Sequence, residues 1–201
     1  MWRSEILASS AEHLWLVAIS VLVALAIAAP LAVILTHHGR LRRWTLGVVN
    51  VVQTVPSLAL FGFLLPLPFL GGAGKPVAIV ALILYALLPI LRNTVVGILG
   101  VDSGVRESAV AMGMTNRQIL WDVELPLAFP TILAGIRIAT VTTIGTATIA
   151  AAIGGGGLGT FVFRGIAMAD TKTILAGAVP AALMAIAADE VLGWVEQRFS
   201  Y

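Results

Sequence analysis

Cysteine is absent from this 201-residue chain, and ionisable residues are scarce. Without thiols the chain can form neither a disulfide framework nor a thiolate metal site. Charged residues make up 11% of the sequence, whereas a soluble globular domain has about 25%. The net charge of +2 is too small to indicate a nucleic-acid partner. Little of this chain can therefore fold as a water-soluble domain, and no nucleic acid is expected to bind it.

Motifs for nucleotide binding, metal binding and catalysis are missing as well. Segment 154–159 formally fits G-x-G-x-x-G, but no strand is predicted before it and the nearest following acid, Asp170, is too close. The adjacent His37 and His38 would point about 100° apart on a helix, so they would chelate a metal poorly. A catalytic carboxylate would need a nearby Ser, His or Cys partner, and the sequence offers none for Glu107, Asp122 or Glu124. The sequence predicts no cofactor, no metal site and no enzyme.

Long apolar runs fill the chain instead. Hydrophobic residues make up 59% of the sequence and the mean hydropathy is +1.02. A membrane-spanning helix needs about 20 consecutive apolar residues. Five runs meet this requirement, at about 14–35, 48–70, 76–99, 130–153 and 174–194. The glycine-rich segment 154–173 is either a loop or a short re-entrant piece. We predict an all-α, polytopic transmembrane bundle that forms one domain over residues 1–201.

The positions of Lys and Arg predict the orientation, because cytoplasmic loops carry an excess of these residues. If the loop between the third and fourth runs is cytoplasmic, eight of them lie inside, namely Arg40, Arg42, Arg43, Arg92, Arg106, Arg117, Arg137 and Arg198. Four lie outside, namely Arg3, Lys75, Arg164 and Lys172. We therefore expect an external N-terminus and a cytoplasmic C-terminus.

Polar residues inside the apolar runs predict a pathway through the membrane. Burying such residues in lipid is costly, so they usually face protein or water. Gln53 and Thr54 precede a kink expected at Pro56, and Ser57 follows it. Tyr85 and Asn93 are further candidates in the third run. For the many threonines of the runs, the alternative interpretation is hydrogen bonding between helices.

A charged insert interrupts the apolar runs between about 101 and 127. The sequence predicts two short helices here: Ser103 can cap the first and Gly113 can end it in a left-handed conformation. Thr115 and Gln118 fit a capping box that would start the second helix, and Pro126 is predicted to end it. Such a module between two spans is typically presented to a partner in the adjacent water.

The spacing in this insert resembles the cytoplasmic loop signature of ABC importer permeases. That signature is E-A-A, three residues, G, nine residues, then I-x-L-P. The chain has Glu107-Ser108-Ala109, three residues, Gly113, nine residues, then 123–126, which ends in Leu125-Pro126. The departure is Ser108 in place of the first alanine, and serine is small enough to keep the packing. By this resemblance, Glu107, Ser108, Ala109, Gly113, Leu125 and Pro126 couple the chain to an ATPase.

Four further stretches resemble permeases of osmoprotectant importers, the glycine betaine, carnitine and choline class. They are residues 51–66, 84–98, 125–137 and 153–166. The resemblance implies a prokaryotic cytoplasmic (inner) membrane protein that pairs with a second permease subunit, identical or not, and with two ATP-binding subunits. It also implies an extracytoplasmic solute-binding protein. The aromatic faces of Tyr85, Phe61 and Phe63 are candidates for contact with a quaternary ammonium group.

Two other interpretations remain at this stage. A methionine-type ABC importer permease would share both the loop and the five-span plan. A secondary transporter or channel would explain the hydropathy and the polar residues in the runs but not the loop. No convincing internal repeat is visible, which argues mildly against transporters built from duplicated halves.

Overall fold

The computed structural model describes residues 2–199, without the side chains of Trp2 and Phe69. All regular elements of this part of the chain are helical. Nine α-helices follow one another: α1 (Trp2–His37), α2 (Gly39–Thr54), α3 (Ser57–Leu64), α4 (Lys75–Leu99), α5 (Ser103–Ala111), α6 (Asn116–Gln118), α7 (Leu125–Ala150), α8 (Gly159–Ala167) and α9 (Thr171–Phe199). Short 3₁₀ turns cover Pro68–Leu70 and Ala151–Ile153, and a π-helical segment covers Ile119–Glu124.

Helix α4 is the centre of the bundle and is buried along its length. Helices α1 and α7 both pack against it and also contact each other, while α9 packs on α7 and α8 on α9. Ser20, Ala24 and Ala28 of α1 are fully buried. These small residues, four positions apart, let the backbone of α1 approach its neighbours closely.

Four helices of the described chain are long and apolar enough to cross a membrane: α1, α4, the continuous stretch Asn116–Ile153, and α9. The helices α2 and α3, which meet at an angle of 101°, form either a fifth, broken crossing or a re-entrant loop. The kink predicted at Pro56 is thus confirmed, but it is a full break between two helices. A proline has no backbone N–H to continue the helix, and the residue before it favours an extended conformation; Val55 has φ −68° and ψ 127°.

Three boundaries differ from the predicted ones. Pro126 does not end a helix: it lies in the first turn of α7, where a missing N–H costs least. The π-helical segment joins α6 to α7 without a gap, so the predicted start of the fourth span at 130 is too late. The cap of α5 is Asp102, not Ser103.

The segment between the last two spans resolves into a glycine turn and a short helix. Gly154, Gly156 and Gly157 have positive φ angles of 80°, 83° and 74°, which glycine adopts without steric cost. The nine-residue α8 is too short to cross a membrane, at about 1.5 Å per residue. It folds back on α9, where a Cβ on Gly177 would lie 2.5 Å from the Leu158 carbonyl oxygen.

A charged cluster joins α7 to α9. The guanidinium of Arg137 contacts both carboxylate oxygens of Asp189, at 2.6 and 2.8 Å, and reaches Glu196 at 3.4 Å. Gly193 lies directly beneath, since a Cβ there would be 2.9 Å from the guanidinium. Two spans that are distant in sequence are thereby held side by side.

Candidate functional site

The first helix of the charged insert, α5, is fixed at both ends by local hydrogen bonds. The Asp102 carboxylate accepts bonds from the backbone N–H groups of Gly104 and Val105, at 2.8 and 3.2 Å. Within the helix, Ala109 faces inward and is buried, whereas Glu107 and Ser108 are exposed. Glu107 and Ser108 thus present a charged and a polar group at the surface, while Ala109 packs the helix against the bundle.

Gly113 ends α5 in the left-handed conformation that the sequence predicts, with φ +81°. Two hydrogen bonds close the turn: Met114 N–H to the Ala109 carbonyl at 3.1 Å, and Gly113 N–H to the Val110 carbonyl at 2.9 Å. This pattern is a Schellman motif, which satisfies carbonyls that a helix end leaves free. No atom lies within 4 Å of a Cβ built on Gly113, so the demand for glycine is conformational.

The capping box predicted at Thr115 and Gln118 is confirmed. The Thr115 hydroxyl accepts from the Gln118 N–H at 3.4 Å, and the Gln118 side-chain oxygen accepts from the Thr115 N–H at 2.9 Å. The reciprocal pair starts a helix immediately after the turn. The chain then widens into the π-helical segment, whose end is marked by a bond from Leu125 N–H to the Leu120 carbonyl.

An ion pair that the sequence analysis did not predict fastens this module to the bundle. Arg106 Nε lies 2.7 Å from Glu124 Oε1, and Glu124 is buried. The same guanidinium donates to the Ile98 carbonyl in the last turn of α4, at 3.0 Å. The two charges are 18 positions apart, so no helical spacing indicates the pair. It holds α5 against both α4 and the beginning of α7.

The outer surface of the module mixes charge with exposed apolar side chains. Val110 is 60% exposed and Met112 74% exposed. A surface cavity of about 370 Å³ is lined by Ser103, Arg106, Glu107, Val110 and Ala111. Leu125 is half-buried and Pro126 exposed at the start of α7. Exposed apolar residues beside a carboxylate are typical of a surface that receives another protein.

The candidate pathway residues cluster only in part. Gln53, Thr54 and Pro56 are exposed at the break between α2 and α3, and Ser57 is half-buried. The Tyr85 hydroxyl donates to the carbonyl of Val55 and thereby holds the break against α4. Asn93 lies apart, at the crossing of α4 and α7, and its amide donates to the Pro89 carbonyl at 2.8 Å.

Five threonine hydroxyls of α4 and α7 bond within their own helix, whereas the buried hydroxyls of Ser20 and Thr143 have no partner among the described residues. Thr94, Thr140, Thr142, Thr146 and Thr148 each donate to a carbonyl three or four residues earlier. The interpretation of these threonines as bonds between helices is therefore wrong. A hydroxyl at such a position reaches the preceding turn of its own backbone more readily than a neighbouring helix.

A second network joins three elements at the opposite end of the bundle. The Glu12 carboxylate contacts Lys75 Nζ at 2.6 Å and accepts from the Gly157 N–H at 2.8 Å. Next to it, the buried His13 ring forms a hydrogen bond with the Ile144 carbonyl at 3.0 Å. The network connects α1, the beginning of α4 and the glycine turn.

The end of α8 repeats the Schellman pattern without a glycine. Ala169 has φ +51°, and the N–H of Asp170 bonds to the Gly165 carbonyl at 2.9 Å. The Asp170 carboxylate then accepts from the Thr173 hydroxyl and the Lys172 N–H, at 2.6 and 3.0 Å. These bonds lower the pKa of Asp170, the bond from Thr173 most strongly, so an ionised carboxylate lies at the start of α9.

The crossing helices with an exposed module between two of them are the arrangement of a membrane transport permease, and the relatives described below are named as permeases and not as enzymes. A sequence-family comparison agrees: residues 8–201 match the model of the binding-protein-dependent transport system inner membrane component. The chain belongs to this family.

Characterised relatives cover nearly the whole chain. The carnitine transport permease protein OpuCB of Listeria monocytogenes is 43% identical over 98% of this chain and 88% of its own length. The choline transport system permease protein OpuBB of Bacillus subtilis (strain 168) is 44% identical over 98% and 89%. The osmoprotectant import permease protein OsmW of Salmonella typhimurium is 44% identical over 93% and 86%.

Solved structures confirm the fold. An inward-facing structure of the MetNI methionine ABC transporter superposes with a TM-score of 0.87 at 23% identity, over 98% of this chain and 97% of that one. An amino acid ABC transporter with histidines gives 0.79 at 17% identity, over 96% and 93%. The predicted class, an all-α permease of ABC-importer type, is confirmed.

Proposed function

We propose that this chain is the permease subunit of an ATP-driven importer of small quaternary ammonium osmolytes such as glycine betaine, choline and carnitine. The observation that carries the solute class is the set of relatives at 43–45% identity, whose names give carnitine, choline and glycine betaine as transported solutes. Similarity to methionine and amino acid transporters lies at 23% identity or below, so it supports the fold and not the solute.

The charged insert is the coupling element of this proposal. Glu107, Ser108 and Gly113 present an exposed surface, while Ala109 and Leu125 connect it to the bundle and Pro126 lies in the first turn of α7. A separate pair of ATP-binding subunits would dock here, and movement of the docked module would pass directly into α7. The module suits this task because a Schellman turn, a capping box and an ion pair make it rigid.

The orientation and the remaining partners follow from the same proposal. The coupling module is cytoplasmic, the N-terminus is external and the C-terminus is internal, in agreement with the eight-to-four distribution of Lys and Arg. A second permease subunit completes the pathway, since five crossings are few to enclose one. An extracytoplasmic binding protein delivers the solute to the end that carries Glu12 and Gly157.

The solute pathway is proposed to pass the break between α2 and α3. Gln53, Thr54 and Pro56 are exposed there, Ser57 and Tyr85 flank the break, and Asn93 lies deeper. Non-helical backbone at membrane depth is tolerated only inside protein or beside water. The ring face of Tyr85 would contact the quaternary ammonium, with its hydroxyl engaged by Val55.

Uptake by the reconstituted importer tests the function. The chain is purified with its ATP-binding subunits, its permease partner and its binding protein, and radiolabelled glycine betaine, choline, carnitine and methionine are supplied with ATP. We expect ATP-dependent uptake of at least one quaternary amine. The Glu107→Lys variant should insert normally yet lose uptake, while Arg198→Gln, at an exposed position on α9 outside the module, should retain uptake. Transport of methionine alone would overturn the solute class and leave the importer proposal standing.

A further inference from the structure

Helix α2 presents two different exposed surfaces along its length. At about 100° per residue, four polar residues fall within one sector of about 80°: Arg40, Arg43, Asn50 and Thr54. We call these the α2 polar stripe. Four apolar residues fall within the adjoining sector: Leu41, Trp44, Val48 and Val51. We call these the α2 apolar stripe. The remaining side holds Leu46 and Val49 against the core.

No side chain of either stripe is paired with another element of the described chain, and the Thr54 hydroxyl donates only to the Val51 carbonyl of its own helix, at 2.7 Å. The residues of the apolar stripe are 48%, 71%, 61% and 66% exposed, in sequence order. All four residues of the polar stripe are exposed as well. None of the ion pairs formed among residues 2–199 includes Arg40 or Arg43. Both surfaces therefore face something outside this chain, and their chemistry differs.

The polar stripe extends from one membrane boundary to the middle of the bundle. The end of α1, directly before α2, shares a cavity with Ile98 and Leu99 at the end of α4. At its other end, α2 reaches the break held by Tyr85, which is ten residues after the start of α4. That is about 15 Å along a helix about 37 Å long. Asn50 and Thr54 thus lie at membrane depth.

Lipid is an unsuitable environment for such a stripe. Polar side chains at membrane depth face protein or water, because hydrocarbon offers them no hydrogen bonds. At the end of the stripe, the carbonyls of Gln53 and Thr54 accept no hydrogen bond from any described residue, as expected where backbone borders water. The apolar stripe, in contrast, is suited to lipid or to a dry protein contact.

We propose that the α2 polar stripe lines a water-filled passage from the inner side of the membrane to the break at Val55–Pro56. The inference rests on the proposed function, in which this passage is the inner half of the solute pathway. Asn50 and Thr54 offer exchangeable hydrogen bonds to water and solute along the passage. The α2 apolar stripe stays dry beside it.

Cysteine labelling tests the passage, and the chain has no cysteine of its own that would react in the background. The variants Asn50→Cys and Thr54→Cys probe the polar stripe, and Val48→Cys and Val51→Cys probe the apolar stripe on the same turns. Each is assembled with the ATP-binding subunits and the second permease, in inside-out vesicles without nucleotide. A charged, water-soluble methanethiosulfonate is added from the inner side.

We expect the two polar-stripe variants to react about tenfold faster than the two apolar-stripe variants, because a thiol in an apolar environment remains un-ionised and unreactive. Saturating glycine betaine should slow the reaction of Thr54→Cys more than that of Val51→Cys. Equally slow labelling of all four would mean a dry interface and would overturn the proposal. Faster labelling of the apolar stripe would overturn it too.

Uptake assays on the same preparations separate this inference from the transport proposal. All four variants replace exposed residues whose side chains are paired with no other element of the described chain, so each should fold and insert. A dry polar stripe in preparations that still import quaternary amines would contradict the passage alone. A wet polar stripe in preparations that import a different solute would support the passage and contradict the solute class.

Discussion

Two helices of this protein end in the same hydrogen-bond pattern but place different residues in the left-handed position. Gly113 occupies it after α5 and Ala169 after α8, with φ of +81° and +51°. A residue with a Cβ pays about 1 kcal/mol or more to adopt this conformation, and glycine does not. A methyl group added at one site and removed at the other should therefore have opposite effects.

We expect Gly113→Ala to destabilise the protein by about 1 kcal/mol and Ala169→Gly to stabilise it by a similar amount. Gly113→Val should destabilise the protein more than Gly113→Ala does. Both Gly113 variants should insert into the membrane but import less solute per ATP hydrolysed. Thermal unfolding of the detergent-solubilised complex measures the stabilities. Gly145→Ala is the control, since Gly145 is helical with nothing within 4 Å of a built Cβ. A loss at Gly145 as large as at Gly113 would contradict the conformational explanation.

At the scale of elements, the module depends on contacts that bridge distant parts of the sequence. Local signals predicted the Gly113 turn and the Thr115–Gln118 capping box, because both patterns complete themselves within a few residues. The same local rules placed the cap of α5 one residue late and made Pro126 a helix end. Neither rule anticipates the π-helical segment Ile119–Glu124, after which the helix continues through Pro126 as α7. The Arg106–Glu124 pair exists only once α5, α4 and α7 have come together.

The Arg106–Glu124 pair should contribute a measurable coupling energy. Glu124 is 8% exposed, so removing Arg106 leaves a nearly buried carboxylate without its partner. We expect Arg106→Gln and Glu124→Gln each to lower stability, with a coupling energy of about 1 kcal/mol in a double-mutant cycle. ATPase activity should then respond less to solute and binding protein. Arg117→Gln, in an exposed residue of the same module, serves as control. Strict additivity of the two changes would argue against a functional pair.

For the whole molecule, composition predicted the fold class and the approximate spans, since 20-residue apolar runs have few alternatives to crossing a membrane. The break at Pro56 was predicted as a position but not as an angle, because the angle depends on what α2 and α3 pack against. Contacts such as Glu12 with Gly157, 145 positions apart, are invisible to periodicity. The pathway candidates illustrate the same limit: Gln53 and Thr54 lie together, whereas Asn93 lies at a helix crossing.

The proposed orientation predicts which ends of the bundle an external reagent reaches. The single-cysteine variants Arg117→Cys and Lys172→Cys probe two exposed positions, one at each end of the bundle. In intact cells, an impermeant maleimide should label the Lys172→Cys variant and leave Arg117→Cys unlabelled. Inverted vesicles should give the reverse. Labelling of Arg117→Cys from outside would place the module on the wrong side for an ATPase.

The π-helical segment between α6 and α7 also fixes an angular relation. A π-turn contains one residue more than the α-helical screw requires, and one residue corresponds to about 100° of rotation and 1.5 Å of rise. The direction in which the Gly113 turn points is therefore phased to α7 by the number of residues between them. Inserting or deleting a single residue there would aim the docking surface away from its partner while leaving every helix intact. The nine-residue spacer before 123–126 thus sets the direction of the docking surface relative to α7 as well as its distance from α7.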